Sequence, residues 1–202
     1  MRCCFVFAAF ALAHAVAPAQ PHPDLGSGGI WLPRHIANVA PAKAAPASAQ
    51  ADPSARCLPP GVPRIMLQAR PFQIVEAQNR ILFLFEGGAH VWRQIWMDGR
   101  AHPKDPNPDW LGDSIGHWEA DTLVVDSVGF NDKTWLDDLG HPHTERLHVV
   151  EKFTRTSPQT MKYDVVIDDS GANIQSWTVS SAFSFRAKGR LAEDICLDKP
   201  SK

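Results

Sequence analysis

The sequence lacks the features that mark several large classes of protein. Beyond its first 19 residues it has no run of about 20 apolar residues, the length that a membrane-spanning helix needs. It has no basic cluster and no alternation of aromatic and basic residues, so the electrostatic footprint of a nucleic-acid-binding protein is missing. It has no internal repeat of solenoid length. We therefore expect no nucleic-acid partner and, in the mature form, no membrane span.

The first 19 residues have the layout of a secretory signal peptide. A basic residue, Arg2, precedes an apolar run at residues 3–16, and the small residues Ala17, Pro18 and Ala19 follow. This order is typical of a signal peptide with its cleavage site, and the run is short for a membrane span. We predict that residues 1–19 are removed on export to the periplasm or the medium. A retained membrane anchor is the alternative.

Cysteine is scarce, and its positions limit what it can do. Removal of the signal peptide takes away Cys3 and Cys4 and leaves only Cys57 and Cys196. An oxidising compartment then allows one intramolecular pairing, which would join the start of the folded region to its end. Two free thiols are the alternative. Without C-x-x-C spacing, these two residues do not predict a metal site.

The chain divides by composition into an arm and a domain. Residues 20–56 are dominated by Ala, Pro, Ser and Gly. Such a stretch buries too little apolar surface to offset the entropy of ordering it, so we predict a flexible arm. Its segment at residues 28–36 is the part expected to dock, through Ile30, Trp31 and Ile36. Residues 57–199 are predicted to form a single β domain of common size.

Apolar residues recur at every second position in the domain, and no stretch shows a sustained helical period. Residues 147–153, 161–168 and 177–185 each alternate in this way. Several such strands at hairpin spacing predict an all-β fold, an antiparallel meander that forms a closed or nearly closed barrel of the calycin type. A β-sandwich is the alternative. A barrel of eight strands is wide enough to hold one small ligand.

Two long connections, at residues 98–111 and 128–144, interrupt the meander and concentrate its polar chemistry. Long loops within a compact domain are often functional. The tryptophans there are typical of core and rim packing, and an aromatic-lined pocket for a flat or glycan-like ligand is the functional alternative. The candidate ligand-binding residues in or beside these loops are His102, Trp110, Ser114, Trp118, Asn131 and Trp135.

The segment His-Pro-His-Thr-Glu at residues 141–145 is the strongest candidate for catalysis. Proline favours an extended conformation in the residue before it, and alternate residues of an extended segment share a face. His141, His143 and Glu145 would then project together, a workable ligand set for a divalent transition metal. Without a metal, His141 and His143 with Asp138 are candidates for acid–base catalysis. Solvated loop histidines are the third interpretation.

The segment Gly-Asp-Ser-Ile-Gly at residues 112–116 matches the G-x-S-x-G pattern of α/β-hydrolases. That motif requires a strand before the serine and a helix after it. Here a proline-rich loop precedes Ser114, and a strand pattern follows it. The pattern therefore predicts a tight turn into a hairpin rather than a serine nucleophile.

Several long motifs resemble a family of uncharacterised exported bacterial proteins. They include "GDSIGHWEADTLVVD" and "GFNDKTWLDDLGHPHTE", and the resemblance extends from Cys57 to Trp177. The family pattern has glycine where this chain has Ala120, and its Y-x-x-P-W-T is "NIQSWT" here, with Asn173 and Ser176 as departures. The resemblance implies export and a single domain. Its motifs contain Trp118, Glu119, Asp121, Asn131, Trp135, His141 and His143.

A second resemblance concerns the fold alone, since Gly116-His117-Trp118 is similar to the G-x-W that begins a barrel strand in calycins and lipocalins. Three functional hypotheses follow. The first is an exported barrel that binds a small, partly apolar ligand between its two long loops. The second is a metal-assisted or acid–base hydrolase or lyase that uses residues 141–145. The third is a protein that interacts through an exposed patch of tryptophans.

Overall fold

Alternation of inward apolar and outward polar side chains produces nine strands in the described residues. The structure is a computed structural model that describes residues 22–34, 52–87, 92–172 and 174–196. Helix is limited there to a 3-10 turn at Pro53–Arg56 and a single turn, α1, at Arg64–Leu67. The strands are β1 (Ile30–Pro33), β2 (Phe72–Ala77), β3 (Arg80–Phe85), β4 (Trp92–Trp96), β5 (Asp113–Glu119), β6 (Thr122–Val128), β7 (Leu147–Ser157), β8 (Thr160–Asp169) and β9 (Ile174–Arg186).

The strands follow one another around a closed barrel, which β9 completes by pairing with β1. The predicted all-β barrel is therefore confirmed, and the alternative sandwich is wrong. A purely antiparallel meander is also wrong, because β4 and β5 are parallel and are joined by the single pair Trp96↔Ile115. The reason is the connection at residues 97–112, here called the crossover loop. It returns along the barrel to the end at which β4 began, instead of closing a hairpin.

The barrel begins earlier in the chain than the predicted boundary at residue 57. Strand β1 belongs to the predicted arm, and it pairs with β9 through Trp31↔Phe185. Trp31 is fully buried, and Leu25 and Ile30 are buried beside it, so these residues of the arm contribute apolar surface to the core. The predicted signal peptide, residues 1–19, lies outside the described residues, as do residues 35–51 of the arm. No helix in the described ranges is long and apolar enough to cross a membrane.

Aromatic rings fill the interior of the barrel. Phe72 and Phe183 meet edge to face, with ring centroids 4.9 Å apart. Phe153 lies 5.3 Å from Phe83 and 5.0 Å from Tyr163, also between centroids. All five side chains are essentially inaccessible to solvent. These contacts close the centre of the barrel by packing, so the interior is a core.

A disulfide between Cys57 and Cys196 joins the segment before α1 to the segment after β9. The two Cα atoms are 5.6 Å apart, and the residues are 139 positions apart in the sequence. The predicted pairing is confirmed. In the chain-entropy view, a loop of this length stabilises the folded state by about 4–5 kcal/mol before any native strain.

Candidate functional site

Apart from Trp110, the predicted site residues lie in four separate places. The loop at residues 129–146, here called the histidine loop, carries most of them. The outer wall of the barrel carries His102, and the interior carries Ser114. Trp118 lies at the mouth of the barrel at the end opposite the histidine loop, because β6 begins at the mouth and ends at that loop.

In the histidine loop, the imidazoles of His141 and His143 are buried and form hydrogen bonds with neighbouring residues. Nδ1 of His141 donates to Oδ2 of Asp137 at 2.7 Å. Nδ1 of His143 donates to the carbonyl oxygen of Thr144 at 3.1 Å. Its Nε2 is therefore the acceptor for the hydroxyl of Thr134, at 2.6 Å. Burial lowers the pKa of His143 below 6.5, in keeping with this neutral tautomer.

Asp138, predicted to act with the histidines, instead pairs with Arg64 of α1. Its Oδ1 accepts from Nε of Arg64 at 2.8 Å, and the guanidinium also binds both carboxylate oxygens of Asp52. The same guanidinium lies over the ring of Trp135, 5.2 Å from its centroid. Burial opposes the charge of Arg64, but hydrogen bonds with the two aspartates raise its pKa. Asp138 and Trp135 thus fasten the histidine loop to α1.

Two further predicted residues of this loop, Asn131 and Glu145, lie apart from the two imidazoles in their contacts or exposure. Oδ1 of Asn131 accepts from the backbone N–H of Lys133 at 3.0 Å, which shapes a turn. Glu145 is exposed and lies in the turn before β7, whereas His141 and His143 are buried. In the part of the chain that the structure describes, no group of three or more His, Cys, Asp or Glu side chains is arranged to hold a metal ion.

His102 belongs to an alternating row of imidazoles and carboxylates on the outer wall, here called the outer cluster. Its Nδ1 lies 2.6 Å from Oδ1 of Asp113, and its Nε2 lies 3.2 Å from Oδ1 of Asp126. The same oxygen of Asp126 also lies 2.8 Å from Nε2 of His148. The row spans β5, β6 and β7 and holds the crossover loop against the barrel. Its carboxylates come from outward strand positions, which the sequence analysis did not select.

Ser114 faces inward and belongs to a buried polar group, here called the interior network. Its hydroxyl accepts from Nη2 of Arg93 at 3.1 Å, and Ser127 accepts from the same nitrogen at 2.8 Å. Arg93 also forms a fully buried ion pair with Glu151, which accepts from the hydroxyl of Tyr163 at 2.9 Å. Burial, with the nearby Glu151 charge, raises the pKa of Tyr163 well above 10.0.

Sequence reasoning missed Arg93 and Glu151 as a pair, although a signal for Glu151 was present. Glu151 shares its strand face with Leu147, Val149 and Phe153, and a charge within an inward apolar row indicates a buried partner. Arg93 shares its inward face with Ile95. The strand pairing that brings the two charges together is not contained in either local pattern.

At the mouth, Trp118 borders an open hollow of about 660 Å³, here called the mouth hollow. Trp118 is on the inward face of β5, one position before the strand ends. The remaining wall comes from the N-terminal segment, from the β2–β3 and β5–β6 turns and from the end of β4. It consists of His22, Glu76, Ala77, Asn79, Arg80, Ile81, Met97, Ala120 and Asp121. Trp110, another predicted ligand-binding residue, is partly buried against the core instead.

The fold and these sites define a closed, mixed β-barrel with a packed interior and an open hollow at one mouth. Comparison with known family models, with curated protein sequences and with solved structures finds no match. The resemblance to exported bacterial proteins therefore rests on its motifs alone.

Proposed function

We propose that this protein is an exported β-barrel that binds a small molecule in the mouth hollow. The observation that carries the proposal is an inward tryptophan, Trp118, beside an open hollow of about 660 Å³ that also has polar walls. Small-molecule sites are typically concave and combine apolar or aromatic surface with a few polar groups. Export is supported by the signal-peptide pattern of residues 1–19 and by the disulfide between Cys57 and Cys196.

The mouth is a better location for the ligand than either the barrel centre or the space between the two long loops. The centre is filled by phenylalanine and tyrosine rings. In the histidine loop, the polar groups of His143 and Asp138 already have partners within the protein. A ligand there would have to displace buried hydrogen bonds, and leaving a buried group unpaired costs about 1–3 kcal/mol. At the mouth, the ligand displaces solvent and the partly exposed imidazole of His22, which stacks on Trp118.

The composition of the hollow favours a flat ligand with polar edges. Trp118 supplies a ring face for stacking, and the apolar side chains of Ile81 and Met97 lie beside it. The amide of Asn79 and the carboxylate of Asp121 provide hydrogen-bonding groups on the surrounding walls. A sugar ring or a heteroaromatic ring matches this combination.

Tryptophan fluorescence provides a direct test. We expect at least one compound in a panel of soluble monosaccharides and heteroaromatic compounds to give a saturable change. The variant Trp118→Leu should weaken that binding at least tenfold. Trp92→Leu is the matched control, because Trp92 is an exposed tryptophan on the outer face of β4. Equal binding by the wild type and Trp118→Leu, or the absence of any saturable change, would contradict the proposal.

A second candidate function, acid–base catalysis, is favoured by the pair formed by His141 and Asp137. A carboxylate that receives Nδ1–H orients an imidazole for proton transfer at Nε2. Within the described residues, Nε2 of His141 has no hydrogen-bond partner. Turnover of p-nitrophenyl esters that is lost in His141→Gln and retained in His148→Gln would support this function. Equal turnover by both variants would refute it.

A further inference from the structure

We infer that the mouth hollow is built for a flat organic cation and that His22 is its intramolecular occupant. This inference rests on the proposed function, since it names the ligand class of the same site. The imidazole of His22 stacks on the indole of Trp118, with ring centroids 4.5 Å apart and planes inclined by 10°. Its Nε2 lies 3.6 Å from Oε2 of Glu76. Protonated, this ring is itself a flat organic cation.

The contact reproduces the two elements by which proteins recognise such cations. An indole face attracts positive charge through its quadrupole, and tryptophan is the best of the aromatic side chains for this purpose. A carboxylate beside the ring adds a charged hydrogen-bond acceptor. Glu76 is held in place for that role, because its other oxygen, Oε1, accepts from the backbone N–H of Leu25 at 3.4 Å.

The remaining charges of the hollow favour a cation as well. Asp121 adds a second carboxylate to the wall. Arg80 is the only arginine or lysine among the described wall residues, and its side chain is bound elsewhere. Its guanidinium lies over the ring of Trp96, 5.1 Å from the centroid, and donates to Gln94 at 3.3 Å. Two carboxylates, Glu76 and Asp121, against this one cation leave the charged side chains of the wall, His22 aside, with a net negative charge.

His22 is attached in a way that lets it leave the indole without disturbing the barrel. The anchor of its segment is Leu25, which is 1% exposed and whose carbonyl oxygen accepts from Nε1 of Trp31 at 2.8 Å. His22 precedes this anchor by three residues, and its side chain is about one-third exposed. A tethered group of this kind acts as a competitor at a high effective concentration. Its removal should therefore raise the affinity of the site for a free ligand.

A permanently charged probe and its neutral analogue test the inference. We would titrate N-methylpyridinium and 3-methylpyridine at pH 8 into the full-length exported protein, its His22→Ala variant and the His117→Ala control. His117 is an exposed histidine on the outer face of β5. We expect His22→Ala to bind N-methylpyridinium about three- to tenfold more tightly than the wild type, and His117→Ala to bind it as the wild type does. Calorimetry would supply the dissociation constants.

The isosteric change Glu76→Gln, made in the His22→Ala background, separates charge recognition from shape. It should weaken the binding of N-methylpyridinium about tenfold, because the Coulombic attraction of the carboxylate is lost, and leave the binding of 3-methylpyridine unchanged. Equal affinity of the two probes for His22→Ala would overturn the cation inference while leaving a ring-binding site in place. Binding of neither probe would also overturn it, and the proposed function would then depend on the separate fluorescence panel. Thermal unfolding of each variant would confirm that it is folded.

Discussion

Removal of one charge from the interior network should destabilise the barrel more than removal of both. Arg93 and Glu151 are 1% and 0% exposed, so neither charge is compensated by solvent when its partner is lost. Breaking a buried ion pair from one side typically costs about 3–5 kcal/mol. We therefore expect Arg93→Met and Glu151→Gln each to lower the free energy of unfolding by about 3–5 kcal/mol.

The double variant Arg93→Met/Glu151→Gln should lose much less than the sum of the single losses. It buries no net charge, and the amide oxygen that replaces the carboxylate of Glu151 can still accept from the hydroxyl of Tyr163. We expect a total loss of about 2–4 kcal/mol, and hence a coupling energy of at least about 2 kcal/mol.

Urea unfolding followed by circular dichroism would supply the free energies of this cycle. Lys162→Met is the control, because the pair between Lys162 and Asp164 lies on the outer face of β8 with the lysine more than half exposed. Its loss should cost less than about 1 kcal/mol. Additive losses in the double variant would refute the reasoning, since they would show that the two charges stabilise the fold independently.

Two further predictions concern single residues. Ala120 has a φ of 49°, in the left-handed region that glycine tolerates best. Ala120→Gly should therefore raise the free energy of unfolding by about 0.5–1 kcal/mol, as measured by thermal unfolding. The control Ala182→Gly, within β9, should lower it. A lower free energy of unfolding in Ala120→Gly would contradict this view of the turn. Burial lowers the pKa of His143 in the folded state, so the unfolded chain binds the proton more readily. The stabilisation is complete above the pKa of the unfolded chain, 6.5, and is lost as the pH falls below that pKa. In urea unfolding, His143→Gln should flatten the dependence of the free energy of unfolding on pH, whereas His117→Gln should not. An unchanged pH dependence in His143→Gln would contradict the prediction.

The strands were predictable because each carries its own signal. In β7 and β8, apolar residues recur at alternate positions, interrupted by Glu151 and Asp169, and the structure places this row inside and the neighbouring residues outside. The disulfide was predictable as well, because only one pairing remains after the predicted cleavage. The parallel contact between β4 and β5 was not, since the composition of the crossover loop does not indicate the end of the barrel to which it returns.

The location of the mouth hollow could not be predicted from local sequence patterns, for a similar reason. Its walls combine His22 from the predicted arm with turn residues that are about 55 and 100 positions further along the chain, such as Asn79 and Asp121. Only barrel closure brings them together. The composition of the arm predicted a segment without a core of its own, and its apolar residues predicted docking at residues 28–36, where β1 pairs with β9. No sequence pattern indicated that His22 would reach the mouth.

In the histidine loop, residue spacing predicted the positions of the two imidazoles but not the position of Glu145. The alternation of His141, Pro142 and His143 placed both imidazoles on one side, and the structure buries both while it exposes the proline. The same alternation also placed Glu145 with them, but a turn at residues 145–146 interrupts the extended segment and leaves Glu145 exposed. Thr144 contributes to that turn, because its backbone N–H and its hydroxyl both donate to the buried carboxylate of Asp169, at 2.7 and 2.6 Å. A partner 25 residues away thus ends the alternation, and no rule about neighbouring residues contains that contact.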